Sequence, residues 1–235
     1  MVTRSTPPLR EIFTRYPKVV HAFSHAGSLG WVPAVIGMLQ AAVAEGAHSR
    51  TVLGVFHRGL YKIALSRWLL RWIFDSREPP SFAKVLQTFK EEKVSDTVVF
   101  PEGDNCIIGD VYEIRPFRSP KFIELALIAE APILITVHRG SEEWGKDFYV
   151  PSWMLSWVKQ WQPSYVRPLM KNPVLNLPLR FHRIPRFALR SALYFPRISY
   201  EELSAKPRER WFQLQTEAQR IKKIMEALLT EIPHV

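Results

Sequence analysis

Cysteine and long apolar runs are both scarce in this chain of 235 residues. A single cysteine, Cys106, excludes an internal disulfide and fits a reducing compartment. No run of about 18–20 uninterrupted apolar residues occurs, so we expect no conventional membrane-spanning helix. We also expect no secretory signal, because prolines and charged side chains interrupt the first eleven positions.

Negative charge is scarce as well. The formal net charge is +10, which favours anionic partners such as phospholipid headgroups, nucleic acid or a polyanionic cofactor. Residues 148–200 contain no Asp or Glu, but eight Lys or Arg and seven prolines, with tryptophan at positions 153, 157 and 161. Indole rings and basic side chains together suit a membrane interface. The alternative is a partly irregular insertion whose tryptophans pack into the core.

Short hydrophobic strands alternate with helical patterns along the rest of the chain. This alternation predicts an α/β fold, a single mixed sheet flanked by helices, and the length fits one domain spanning residues 1–235. A basic, Trp- and Pro-rich insertion at 148–186 interrupts the pattern before the last strand. Strands are predicted over 18–24, 51–56, 97–100, 132–138 and 186–195, and helices over 31–44, 59–72, 81–93, 121–130 and 208–229.

Several short blocks stand in a fixed order. Residues 24–33 read Ser-His-Ala-Gly-Ser-Leu-Gly-Trp-Val-Pro, residues 74–77 read Phe-Asp-Ser-Arg, and residues 100–103 read Phe-Pro-Glu-Gly. A basic linker at 58–68 and a closing Pro-Arg-Ile-Ser at 196–199 complete the set. In this order the blocks resemble the glycerolipid acyltransferase family, whose best-known members acylate lysophosphatidic acid. The resemblance covers roughly residues 21–229 and implies that family's fold.

The resemblance implies a general base at His25, which would take the proton of an acceptor hydroxyl that attacks an acyl thioester. In the family an Asp five residues further on bonds the other ring nitrogen, but here Gly30 takes its place. Three explanations stay open. Another carboxylate orients His25, with Asp104 and Asp110 as candidates; the base works without an orienting partner at a reduced rate; or the site is inactive and the protein only binds lipid.

The resemblance also implies a set of substrate-binding residues. Glu102 and Gly103 would hold the acceptor's glycerol, and the planar guanidinium of Arg77 would grip a phosphate. The family's Thr-Arg after Pro-Glu-Gly is replaced by Asp104-Asn105, so the anionic headgroup would depend more on other cations. The candidates are Arg58, Lys62 and Arg118.

No cofactor is expected beyond the co-substrate, acyl-CoA or acyl carrier protein. No metal site is expected either, because His21, Asp75 and Asp96 show no ligand-like clustering in the sequence. His138 and Glu143 repeat the His-x4-acid spacing, which we interpret as coincidence. The expected partners are a lipid acceptor, an acyl thioester donor and an anionic membrane surface on the cytoplasmic side. A nucleic-acid-binding module, which only the net charge favours, is the less favoured alternative.

Overall fold

The computed structural model describes residues 2–27, 29–56, 58–62, 64–161, 163–180 and 182–233. The strands are β1 (Val2–Thr6), β2 (Val19–Phe23), β3 (Val52–Val55), β4 (Asp96–Val99), β5 (Ile133–Arg139), β6 (Gly145–Tyr149), β7 (Val174–Pro178) and β8 (Ala188–Tyr194). The α-helices are α1 (Leu9–Arg15), α2 (Trp31–Ala44), α3 (Ala64–Phe74), α4 (Phe82–Lys90), α5 (Lys121–Ile128), α6 (Leu155–Trp161), α7 (Pro163–Lys171) and α8 (Pro207–Thr230).

The main sheet has six strands in the order β1-β8-β5-β2-β4-β3. Strands β5, β2, β4 and β3 are mutually parallel, whereas β8 runs antiparallel to β5 and β1 runs parallel to β8. The predicted α/β fold with a mixed sheet is therefore confirmed. The prediction of a single sheet is wrong, because β6 and β7 form a separate antiparallel pair.

Helices cover both faces of the sheet. Helices α1, α2 and α3 pack on one face, and α4, α5 and α8 pack on the other. Every residue of the central strands β2 and β5 is buried, which explains their nearly continuous apolar sequences. The chain thus leaves β2 toward one face and leaves β4 toward the other. A crevice opens where neighbouring parallel strands diverge in this way, and such crevices are common binding sites in α/β proteins.

The insertion is more regular than the sequence indicates. It contains the end of β6 together with α6, α7 and β7, and it packs on the helical turn Gly103–Ile107 and the residues that follow it. The Gly109 amide donates to the Val174 carbonyl at 2.8 Å, and Ile108 forms a bridge with Leu175. The insertion therefore lies against the segment that follows β4. Trp153 and Trp157 are 68% and 64% exposed, while the Trp161 side chain falls outside the described part of the structure.

Besides β6, α6, α7 and β7, the elements β1 and α1 were not predicted from the sequence, and one predicted helix is divided in two. Strand β1 and helix α1 lie in a proline-containing segment that offers little periodicity. The predicted helix over 59–72 divides into a 3₁₀ turn at Arg58–Lys62 and helix α3. Among the described residues, no helix combines the length and the hydropathy that a membrane span requires.

Candidate functional site

The blocks at 24–33 and 100–103 meet at the carboxyl ends of the adjacent strands β2 and β4. The topology of the sheet places a crevice at this edge, and we call it the β2–β4 crevice. The His25 amide donates a hydrogen bond of 2.8 Å to Glu102 Oε1, although 77 positions separate the two residues. Strand pairing explains this contact. Ala22 lies opposite Val99 in the sheet, and His25 and Glu102 each follow their strand residue by three positions. The structure thus brings the predicted base and the intact Pro-Glu-Gly turn together.

Glu102 links two loops through its carboxylate. Oε1 accepts from the His25 amide and Oε2 accepts from the Arg115 amide at 2.6 Å. The residue is fully buried, and this burial raises the pKa of Glu102 to about 7 against the opposing effect of the two amide bonds. The carboxylate is therefore placed to fix the backbone on either side of the crevice.

The His25 ring is oriented by a backbone carbonyl. Its Nδ1 lies 2.9 Å from the Gly27 carbonyl oxygen. Because a carbonyl can only accept, Nδ1 carries the proton, and in the neutral ring the lone pair is on Nε2. Burial lowers the pKa of His25 to about 4, with the Gly27 bond opposing, so the ring is neutral at pH 7. The imidazole packs against Phe100 at a centroid distance of 5.0 Å and retains partial exposure.

Gly27 makes this contact possible through its conformation. Its φ of 73° lies in the left-handed region, which turns its carbonyl back toward the His25 ring. A Cβ at this position would also collide with the side chain of Asn176, which belongs to β7 of the insertion. A glycine two positions after the histidine was the one sequence signal for this arrangement, and sequence reasoning missed it.

The position of the family's acid has no room for a side chain here. Gly30 precedes α2 with an ordinary right-handed backbone, φ −57° and ψ −22°. A Cβ on Gly30 would nonetheless overlap the Ala26 carbonyl oxygen and would lie 3.1 Å from Ser141 Oγ. Geometry therefore excludes an acid at position 30 unless the Ala26 backbone moves.

The two alternative orienting acids have different outcomes. Asp104 lies in the turn Gly103–Ile107, and its side chain falls outside the described part of the structure. Asp110 is exposed and accepts from the Tyr112 amide at 2.9 Å, which completes a local turn. The Nδ1 contact that an orienting acid would make is instead made by Gly27.

The predicted phosphate-binding cations are exposed and lie on neighbouring segments. Arg58 and Lys62 belong to the turn that follows β3, and Arg77 follows α3. A 2.8 Å hydrogen bond between the buried Tyr61 and Ser76 hydroxyls joins these segments. None of the three cations has a described contact with His25.

Arg118 lies closer to the Pro-Glu-Gly turn. Its amide donates to the Pro101 carbonyl at 2.8 Å, and its Cδ would lie 3.2 Å from a Cβ on Gly103. Gly103 has a φ of 67°, so it meets both a conformational and a spatial requirement for glycine. The side chain of Arg118 therefore borders the crevice.

A second histidine supports the site from β5. His138 is buried, with Nε2 3.1 Å from the Ser24 carbonyl oxygen and Nδ1 2.8 Å from Ser141 Oγ. The carbonyl requires the proton on Nε2, so Ser141 donates to Nδ1. Burial lowers the pKa of His138 to about 4, which the Ser24 bond opposes and the neighbouring His25 reinforces. Glu143 contacts His182 at 3.2 Å rather than His138, which agrees with our interpretation of the second His-x4-acid spacing.

His21 and Asp96, which show no ligand-like clustering in the sequence, are in contact in the structure. His21 Nε2 lies 3.2 Å from Asp96 Oδ1, and Arg50 binds both oxygens of the same carboxylate at 2.6 and 2.7 Å. Asp75 does not join them. Within the described ranges, no three His, Cys, Asp or Glu side chains are grouped so that they could hold a metal ion.

Comparison of the chain with protein-family models, with curated proteins and with solved structures found no match. The case for a function therefore depends on the geometry of the β2–β4 crevice.

Proposed function

We propose that this protein is an O-acyltransferase that moves a fatty acyl chain from acyl-CoA or acyl carrier protein to a hydroxyl of a lysophospholipid or related glycerolipid. One observation carries the proposal. The Gly27 carbonyl holds the proton of His25 on Nδ1, so the neutral ring presents the Nε2 lone pair that a general base requires.

In the proposed reaction His25 takes up one proton and later releases it, so the ring ends the cycle in its starting state. His25 Nε2 takes the proton of the acceptor hydroxyl as its oxygen attacks the thioester carbonyl. The C–S bond of the tetrahedral intermediate then breaks, and the imidazolium returns the proton to the leaving thiolate. An ester and a free thiol result.

The Gly27 carbonyl replaces only part of what a carboxylate would do. It fixes the tautomer and the orientation of the ring, but it carries no full charge to stabilise the imidazolium. The low pKa of His25 should also slow the reaction, because a general base works best with a pKa near the ambient pH. We expect an active enzyme that is slower than one with an acid partner.

We assign Glu102 a positioning role rather than contact with the acceptor. Both of its oxygens are bonded to amides, and the residue has no exposed surface. Arg118 and the open backbone at Gly103 border the crevice and are better placed to meet a polar acceptor. Arg58, Lys62 and Arg77 remain candidates for the anionic headgroup.

We further propose that the protein works as a peripheral protein on the cytoplasmic face of a membrane. Two observations support this location. The net charge is +10, and Trp153 and Trp157 in the acid-free insertion are largely exposed.

Acylation of a panel of lysolipids, with acyl-CoA and with acyl carrier protein as donors, tests the proposal. Wild-type protein should transfer the acyl chain, and His25→Ala should abolish the transfer. His138→Gln is the informative companion, because it removes a supporting histidine while leaving the base in place. A rate that is unaffected by His25→Ala would show that His25 is not the base.

A catalytically impaired lipid-binding protein is the second candidate, and the absence of a described carboxylate contact to the His25 ring favours it. In that case wild-type protein would bind lysolipid without thioester-dependent turnover. His25→Ala would then leave both the binding and the background rate unchanged.

A further inference from the structure

Helix α3 has apolar side chains on the side that points away from the core. Its inward residues Ser66, Leu70 and Phe74 are buried. Because successive residues are about 100° apart around a helix, positions 65, 68 and 72 fall on the opposite side. Leu65, Trp68 and Trp72 occupy them and are 51%, 60% and 67% exposed. A surface helix of a globular protein normally has polar residues there.

The two tryptophans of this face are stacked on each other. The Trp68 and Trp72 rings are nearly parallel, with an interplanar angle of 3° and a centroid distance of 6.2 Å. Together with Leu65 they form a continuous apolar strip, which we call the α3 face. Such a strip in contact with water is a typical sign of an interaction surface.

Positive charge lies beside the α3 face, on one flank and in the turn before it, and the exposed acid Asp75 follows the helix at its carboxyl end. The sequence from position 51 to position 74 contains four Lys or Arg and no Asp or Glu. Arg67 and Arg71 are exposed on one flank of the strip, and Arg58 and Lys62 are exposed in the preceding turn. Tryptophan beside arginine on a short amphipathic helix is the composition of elements that lie in the plane of a membrane interface.

We infer that the α3 face docks on the surface of an anionic phospholipid bilayer. Charge complementarity favours this partner over a second copy of the chain, because a symmetric dimer through this face would bring the same four cations together. An aliphatic side chain in line with the indoles fits an acyl layer better than it fits nucleic acid, whose bases stack on aromatic rings. The guanidinium groups of Arg67 and Arg71 would reach lipid phosphates while their stems lie along the apolar strip.

The helix that carries the α3 face is also packed, through the core, against the residues of the β2–β4 crevice. The inner side of α3 connects to the site through a row of packed rings: Phe74 contacts Phe56 at a centroid distance of 5.0 Å, Phe56 contacts Phe100 at 5.8 Å, and Phe100 contacts His25 at 5.0 Å. The inference rests on the proposed function only for the biological role of the docking, since membrane binding can be measured whether or not acyl transfer occurs.

Vesicle sedimentation with full-length protein tests the inference. The probes are vesicles of phosphatidylcholine alone and vesicles of phosphatidylcholine mixed with phosphatidylglycerol. We expect wild-type protein to bind the anionic vesicles and Trp68→Ser/Trp72→Ser to lower the partition coefficient by about tenfold or more. Arg67→Gln/Arg71→Gln should lower binding to anionic vesicles by about fivefold for each arginine removed, and added salt should erase this difference.

The matched control is Trp211→Ser/Phe212→Ser on α8, which removes an equally exposed aromatic pair outside the α3 face. It should change vesicle binding by less than about twofold. Trp153→Ser/Trp157→Ser separates α3 from the insertion. Since all of these side chains are exposed, circular dichroism and thermal unfolding should match wild type, and only variants that pass this check are compared.

Several outcomes would overturn the inference. These are vesicle binding unchanged by Trp68→Ser/Trp72→Ser, vesicle binding lost only in Trp153→Ser/Trp157→Ser, and a concentration-dependent dimer that the α3 variant dissociates. Binding of a single-stranded oligonucleotide in place of vesicles would also overturn it. Failure of the proposed function has a different signature, because vesicle binding would then require the α3 face while no lysolipid is acylated.

Discussion

The chain has two histidines close together on and just after β2, and their surroundings are opposite in kind. His21 lies within the strand and contacts the Asp96 carboxylate, which two nitrogens of Arg50 also bind. His25 lies beyond the end of the strand, contacts no carboxylate through its ring in the described structure, and is held by the Gly27 carbonyl. A histidine–aspartate pair is usually taken as the sign of a catalytic base. Here the pair joins a residue inside β2 to the first residue of β4, and it does not lie at the carboxyl ends of these strands.

The difference lies in what each carboxylate binds. Burial alone would raise the pKa of Asp96, but hydrogen bonds from Arg50 and His21 outweigh it and the pKa is lowered. The ionised Asp96 thus holds the amino end of β4 to Arg50, whose guanidinium also donates to the Phe13 and Tyr16 carbonyls. Glu102, next to His25, binds backbone amides and leaves the ring to a neutral carbonyl. The first cluster joins elements, whereas the second leaves a neutral imidazole at the crevice.

The comparison predicts that replacing each histidine by alanine lowers a different property, namely activity for His25 and stability for His21. We expect His25→Ala to lower acyl transfer by on the order of 10²–10⁴-fold, the usual contribution of a general base, with little change in thermal stability. His21→Ala should lower the unfolding free energy by roughly 1–3 kcal/mol, because it removes a donor from a buried carboxylate, while the remaining folded protein keeps its turnover. Kinetics and calorimetry on both variants provide the check. A His21→Ala protein that is fully folded and inactive would reverse the two roles.

The second prediction concerns the anchor of His21. Asp96→Ala leaves the Arg50 guanidinium largely buried without its counter-ion, and breaking a buried ion pair from one side costs about 3–5 kcal/mol. For a chain of this length that corresponds to a fall in Tm of roughly 10 °C. Asp96→Asn, which keeps the shape of the side chain and loses its charge, is the control and should fall between Ala and wild type. Equal melting temperatures for all three proteins would mean that the cluster does not hold these elements together.

The sequence predicts the strands that carry both histidines, because their apolar runs and flanking turn residues are strong signals. The family resemblance further implies that the His25 and Glu102 blocks lie close together, because it places both at the same acceptor molecule. The sequence does not reveal the partner of the His25 ring, because that partner is a main-chain atom whose position depends on one positive φ at Gly27. Nor does it reveal the His21–Asp96 contact, which strand register creates between residues 75 positions apart in the chain.

The remaining errors have a common physical cause. Strand β1 was missed because it is an edge strand whose positions are only exposed or half-buried and carry no strong hydrophobic alternation. The separate β6–β7 pair was missed because the residues of β6 are mostly exposed and because the glycine of β6 and the proline of β7 suggest loop structure. Tertiary contacts rather than local preference determine both elements.

The third prediction comes from an attempt to give His25 the kind of partner that His21 has. Gly30→Asp restores the acid of the acyltransferase pattern, but the new Cβ would overlap the Ala26 carbonyl oxygen and press on Ser141 Oγ. We expect a loss of roughly 1–3 kcal/mol in unfolding free energy, the usual cost of overpacking, and no gain in rate. Gly30→Ala is the matched control and should show most of the same loss, because the clash begins at Cβ. A faster Gly30→Asp enzyme with unchanged stability would show that the Ala26 backbone moves readily and that a carboxylate can orient His25.

The last prediction concerns the charge around His25. The folded pKa of Glu102 is raised to about 7, so between pH 4.5 and 6.5 the native carboxyl binds a proton that the unfolded chain has released. The folded pKa values of His25 and His138 are lowered to about 4, so over the same range the unfolded chain binds two protons that the native rings do not. The two effects have opposite signs, and the histidines outnumber the carboxyl, so stability should rise with pH in wild type.

Glu102→Gln removes the opposing group and should steepen the rise by about one proton, or ~1.4 kcal/mol per pH unit. Denaturant unfolding at several pH values measures both slopes. Parallel slopes would mean that the Glu102 carboxylate is ionised throughout this range, and that the backbone of His25 is held by a full negative charge.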